Sequence, residues 1–139
     1  MKINRDIAIF LLRLGLSAGF LSAVASRLGF WGKYSSGWSN FVSYTAQVNS
    51  FAPKSMAPII AIASTILESG LGVLLFIGYK TNYAALLASA LTLLFAIAMS
   101  VSFNLKEPLD YSVFAFSAGA LALAAMPNYR WSIDQLFTK

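Results

Sequence analysis

Four stretches almost free of charge run through this chain: Ile7 to Leu28, Ile59 to Tyr79, Tyr83 to Leu105 and Tyr111 to Met126. At ~1.5 Å of rise per residue, a helix of about 20 apolar residues crosses ~30 Å of hydrocarbon. The first three blocks meet that length; the fourth is shorter, but Pro108 and Pro127 frame a usable span. Hydrocarbon offers no water to peptide groups, so each block is expected to be helical. The resulting expectation is all-α: one domain over 1–139, a four-helix transmembrane bundle with spans at about 7–28, 58–79, 82–104 and 109–126.

Composition supports a bilayer rather than water as the solvent. Only 11% of residues are charged and 58% are hydrophobic, whereas a soluble domain carries roughly 25% charged residues. The net charge of +5 is spread singly over helix ends with no basic run. That pattern suits membrane anchoring and anionic lipid, not nucleic acid. Cysteine and histidine are absent, so the chain brings no thiol redox chemistry, no thiolate or histidine metal ligand and no imidazole proton shuttle. Ala23-Val24-Ala25 after Lys2 and Arg5 suggests a signal peptide, but Arg13 interrupts an apolar stretch too long for a signal core. The first block is therefore read as a helix of the protein.

The loop after the first block is long and aromatic, with Phe30, Trp31, Tyr34, Trp38, Phe41, Tyr44 and Phe51. Trp38, Phe41, Val42, Val48 and Phe51 approximate one helical face, which predicts an interfacial or shallowly re-entrant helix over about 37–50. It is either an aromatic belt or a lid over a cavity. Stripes of small residues, such as Gly15, Ala18, Gly19, Ser22 and Ser26, allow close helix packing. The tail from Asn128 is amphipathic, and Trp131, Leu136 and Phe137 are expected at the membrane surface. Lys2, Arg5, Lys80, Arg130 and Lys139 on one side outweigh Arg27, Lys33, Lys54 and Lys106 on the other. That balance places both termini in the cytoplasm.

Two ionisable residues fall inside the blocks. A charge at a helix centre is unfavourable by roughly 2.5–3.5 kcal/mol, so such residues normally face the bundle interior and mark a site. Glu68 shares one face of its helix with Ser64, Thr65 and Gly72. Arg13 lies in the first block, and antiparallel packing would bring it within ~7 Å of rise of Glu68. The two are candidate partners; alternatively Arg13 snorkels to headgroups and Glu68 is a protonated carboxyl held by serine or backbone. A second polar group, Arg27, Asn40, Asn49, Asn104, Lys106 and Asp110, lies at helix ends on the opposite side from the termini.

These residues also carry a resemblance. Leu11-Leu12-Arg13-Leu14-Gly15-Leu16, Trp38-Ser39-Asn40-Phe41, Ile66-Leu67-Glu68-Ser69-Gly70-Leu71-Gly72, Gly78-Tyr79-Lys80-Thr81, Phe95-Ala96 and Lys106-Glu107-Pro108-Leu109-Asp110-Tyr111-Ser112 follow in an order that resembles the DoxX family of small bacterial membrane proteins. The resemblance implies a four-helix fold in the bacterial cytoplasmic (inner) membrane. It also implies an association with quinone-linked oxidation of sulfur compounds and with membrane redox complexes. The expected role is a membrane subunit that binds a quinone or other small hydrophobic molecule, with no covalent cofactor, beside a redox partner protein or as a homo-oligomer. A quinone-linked sulfur oxidoreductase subunit and a small transporter or assembly scaffold are the alternatives. Candidate ligand-binding residues are Arg13, Trp38, Asn40, Tyr44, Ser64, Thr65, Glu68, Asn104 and Lys106.

Overall fold

The computed structural model describes residues 3–137, so Lys2 and Lys139 of the charge balance lie outside the described residues. Within them the chain is all-helical, and three helices are long and apolar enough to cross a membrane. The first, α1, covers Arg5–Arg27. Asn4 starts it by accepting from the Asp6 and Ile7 amides at 3.0 and 3.4 Å, and Asp6 places a carboxylate in the positive first turn. Gly29, at φ 84°, ends it, and the Phe30 amide returns to the Ala25 carbonyl at 2.9 Å.

The loop then folds back on α1. The Ser36 and Gly37 amides donate to the Ser26 hydroxyl and carbonyl at 2.9 and 3.2 Å. This return sets α2, Trp38–Val48, against α3 (Ala57–Ile77) and α4 (Thr81–Ser102). The helix expected over about 37–50 is thus present, between Gly37 at φ 80° and Asn49. A 3-10 turn, Lys54–Met56, leads into α3, where Pro58 occupies the first turn. Gly78 ends α3 in the left-handed conformation, φ 70°.

The fourth block departs from expectation. It forms a short α5, Lys106–Asp110, and then α6, Val113–Ala124, of 12 residues. Pro108, buried in α5, has no amide to donate. The Ser112 amide closes a tight turn on the Leu109 carbonyl, and Ser112 at φ 56° redirects the chain. The expected span of 109–126 is therefore interrupted, and α6 alone is ~18 Å long.

Packing is pairwise. α1 lies chiefly on α3, and α4 chiefly on α6. Ser17 donates to the Gly72 carbonyl at 2.8 Å, and a Cβ on Gly72 would meet the Leu21 side chain at 2.8 Å. Ala85, Ala88 and Ala120 are fully buried, and Ser117 donates to the Ser89 carbonyl at 2.8 Å. Small residues at these contacts let backbones approach and hydrogen-bond across helices. The α3–α4 seam is held less closely.

The tail closes the end of the bundle where α1 begins. The Ile133 and Asp134 amides donate to the Ile77 and Gly78 carbonyls at 3.1 and 2.9 Å. The Asp134 carboxylate accepts from the Lys80 and Thr81 amides at 2.6 and 2.7 Å, so it caps α4 from across the fold. Trp131, Leu136 and Phe137 are exposed.

Candidate functional site

Glu68 lies midway along α3 and is 2% exposed. Its partner is Arg27, the last residue of α1, not Arg13. Arg27 Nη2 is 2.8 Å from Glu68 Oε2 and 3.1 Å from Oε1. Arg27 Nη1 donates to the Thr65 hydroxyl at 3.2 Å, which itself donates to the Ala61 carbonyl at 2.8 Å. The Arg27 guanidinium also lies over the Phe41 ring of α2, 3.8 Å from its centroid.

Register and side-chain direction explain the choice. The Ser17–Gly72 contact makes those residues level in the antiparallel pair. Arg13 is then level with Phe76, eight positions from Glu68 and ~12 Å away along the axis. Helical side chains lean toward the amino terminus of their own helix. Arg13 and Glu68 therefore point away from each other, whereas Arg27 leans inward from the end of α1 and Glu68 leans outward to meet it.

The pair forms the polar end of a cleft of about 360 Å³ between α3 and α4, roofed by α2. Small-molecule sites span ~300–1,000 Å³. Its walls are mainly apolar: Ile60, Ala63 and Leu67 from α3, then Leu91, Leu94, Phe95, Ala98 and Met99 from α4. Leu67 and Leu94 line the cleft yet stay more than half exposed, so it opens sideways between the helices. From α2 come Phe41, Tyr44, Thr45, Val48 and Asn49. Asn49 uses one amide hydrogen on the Thr45 carbonyl at 2.9 Å. The Tyr44 ring stacks on Phe103, centroids 6.2 Å apart. Burial pushes the Tyr44 phenol above its ordinary range, with Glu107 and Tyr111 acting in the same direction. The hydroxyl is therefore a neutral donor at physiological pH.

The cleft thus unites Tyr44, Ser64 and Glu68 of the expected residues, with Thr65 beside them on Arg27. Ser64 donates to the Ile60 carbonyl at 2.6 Å. The other candidates lie apart. Trp38 packs on Phe41, centroids 5.9 Å apart, and Asn40 donates to the Ser36 carbonyl at 2.8 Å. Asn104 accepts from the Lys106 amide at 2.9 Å, and Lys106 pairs with Asp110 on the surface. Arg13 is 2% exposed beneath the tail, donating to the Trp131 carbonyl at 2.6 Å. Arg27 was legible as a polar helix end but not as the partner of Glu68. Its antiparallel register and inward lean are the signals that identify it.

One comparison places the chain among known proteins. No curated protein and no solved structure matches it. The sequence model of the DoxX family, by contrast, matches residues 8–101, a stretch that holds every lining residue of the cleft except Val113. With that match over most of its length, and three apolar helices of membrane-crossing size, the chain is a multi-pass integral membrane protein of the DoxX family.

Proposed function

We infer that this protein binds a neutral amphiphile of the bilayer, a quinone foremost, with its polar head against Arg27 and Glu68. It is then a four-span bundle of the bacterial cytoplasmic membrane, in which α5 and α6 together serve as the fourth pass and α2 lies at the interface as a lid. Its termini are cytoplasmic.

The observation that carries this reading is the buried Arg27–Glu68 pair at the inner end of a sideways-opening apolar cleft. A buried pair is neutral overall, and removing either partner strands a charge in low dielectric. An anionic or cationic head would compete for one member, whereas a neutral head leaves both matched. The free hydrogen-bonding groups suit a quinone. Among the described residues the Tyr44 hydroxyl has no acceptor, and one Asn49 amide hydrogen is uncommitted. Both can donate, and a quinone head offers carbonyl acceptors. A long isoprenoid chain would leave between Leu67 and Leu94 into lipid. Tyr44 and Asn49 would orient the head, Arg27 and Glu68 would set the field around it, and the aliphatic walls would exclude water. Electron transfer would be supplied by the bound quinone and a partner protein, since the chain itself provides binding and orientation.

The test uses purified protein and the variant R27M/E68L, which replaces the pair with apolar groups of similar length. The expected result is a quinone or related amphiphile in solvent extracts of the wild type by mass spectrometry, saturable titration with a short-chain quinone, and loss of both in the folded variant. Wild-type protein that yields no amphiphile and shows no saturable binding overturns the reading.

A further inference from the structure

At the opposite end of the bundle lies a second depression, of about 400 Å³, lined by Arg5, Asp6, Asn128, Tyr129, Arg130 and Gln135. Its chemistry is unlike that of the cleft, since only the Tyr129 ring is apolar. Two arginines and one aspartate line it, which leaves the lining with a net positive charge. Arg130 Nη1 is engaged with Asp6 Oδ2 at 3.1 Å. The acceptors present are largely committed: Asp6 to Arg130, and Gln135 Oε1 to the Trp131 amide at 2.8 Å. The Tyr129 hydroxyl is spent on the Leu123 carbonyl at 2.9 Å. Among the described residues the Arg5 guanidinium makes no hydrogen bond or ion pair, and neither does the Asn128 side chain or the Gln135 amide nitrogen. Apart from the Asn128 amide oxygen, what remains uncommitted is mainly donors, with one surplus positive charge.

The surroundings add the apolar half of an interfacial site. Ile3, Ile7, Trp131, Leu136 and Phe137 are all exposed at this end. Aromatic and aliphatic residues beside arginine mark the level of the headgroups.

We propose that this depression is a binding site for a phosphate-bearing anion, with Arg5 as its principal contact, Asn128 and Gln135 as further donors, and Arg130 shared between the anion and Asp6. Guanidinium groups bind phosphate oxygens through charge-assisted hydrogen bonds. The flanking apolar residues favour an anionic phospholipid as the source over free phosphate. Occupation joins the start of α1 to the segment after α6, the two parts of the chain that line the depression.

The experiment measures lipid binding to the delipidated full-length protein by native mass spectrometry, with phosphatidylglycerol, phosphatidylcholine and inorganic phosphate as separate ligands. Phosphatidylglycerol is expected to bind in preference to phosphatidylcholine, and Arg5→Gln to weaken it about tenfold, the scale of one charge-assisted hydrogen bond. Arg5→Lys should recover part of the loss. Arg5 is exposed at a helix end, so these variants are expected to fold. Inorganic phosphate that binds without phosphatidylglycerol binding assigns the site to the soluble anion. Equal binding of phosphatidylglycerol to wild type and Arg5→Gln, or equal binding of the two lipids, overturns the proposal.

Discussion

Arg13 and Arg27 sit on one helix with the same charge and serve different ends of the molecule. Direction decides it: each leans toward the start of α1, so Arg27 turns into the bundle and Arg13 turns toward the tail. Glu68 was legible in the sequence because a lone carboxyl amid aliphatic residues demands a partner. Which arginine meets it was not, since that depends on a register fixed by the Ser17–Gly72 contact. Removing one member of the buried pair should cost about 3–5 kcal/mol, while an apolar pair of similar volume should be close to neutral. Unfolding of R27M, E68L and R27M/E68L in detergent is expected to show this as a large favourable coupling in a double-mutant cycle. Gly78 provides a second case. A Cβ there would stand 1.9 Å from Arg13 Nη1 and 2.3 Å from Ser132 Cβ, in a left-handed backbone. Gly78→Ala should lower the thermal midpoint, and Arg13→Ala in the same chain should return only part of the loss, because the backbone strain at φ 70° remains.

The apolar blocks translate directly into α1, α3 and α4, whose limits lie within a few residues of those expected. Length and continuity were enough, because a helix is the form an isolated apolar segment takes in lipid. The α5–α6 break was not legible: Tyr111 and Ser112 look unremarkable in sequence, and only the left-handed Ser112 divides the block. In sequence the tail shows only the pattern of an amphipathic surface segment. Its polar work was hidden, because Asp134 caps a helix whose first residue lies 53 positions earlier. Substituting a capping residue costs about 0.5–2 kcal/mol. Asp134→Ala is therefore expected to lower stability by that amount and to speed amide exchange in the first turn of α4. At the other end, Phe41 joins α2 to Arg27. Phe41→Leu should raise exchange in α2 while leaving α3 and α4 protected, as hydrogen-exchange mass spectrometry would show.

Taken whole, the molecule has two unlike ends. One presents an apolar cleft with an internal ion pair, and the other a polar depression fastened by the tail. The sideways opening makes a prediction about access. Spin labels at positions 67 and 94 should collide with membrane-soluble oxygen more than with a water-soluble relaxation agent. Addition of a short-chain quinone should reduce collisions at both, whereas a label at Phe76, exposed away from the cleft, should not respond.

The bond from Arg13 to the Trp131 carbonyl spans 118 positions. A ribosome therefore delivers a buried cation into the bilayer long before it delivers the acceptor. Until the segment around Trp131 emerges, α1 must hold its arginine against headgroups or water, so α1 is finished only after α3, α4 and α6 have been made. Chains halted after α6 should consequently retain a loosely seated first helix, open to extraction or proteolysis, even though every long apolar segment has already been made.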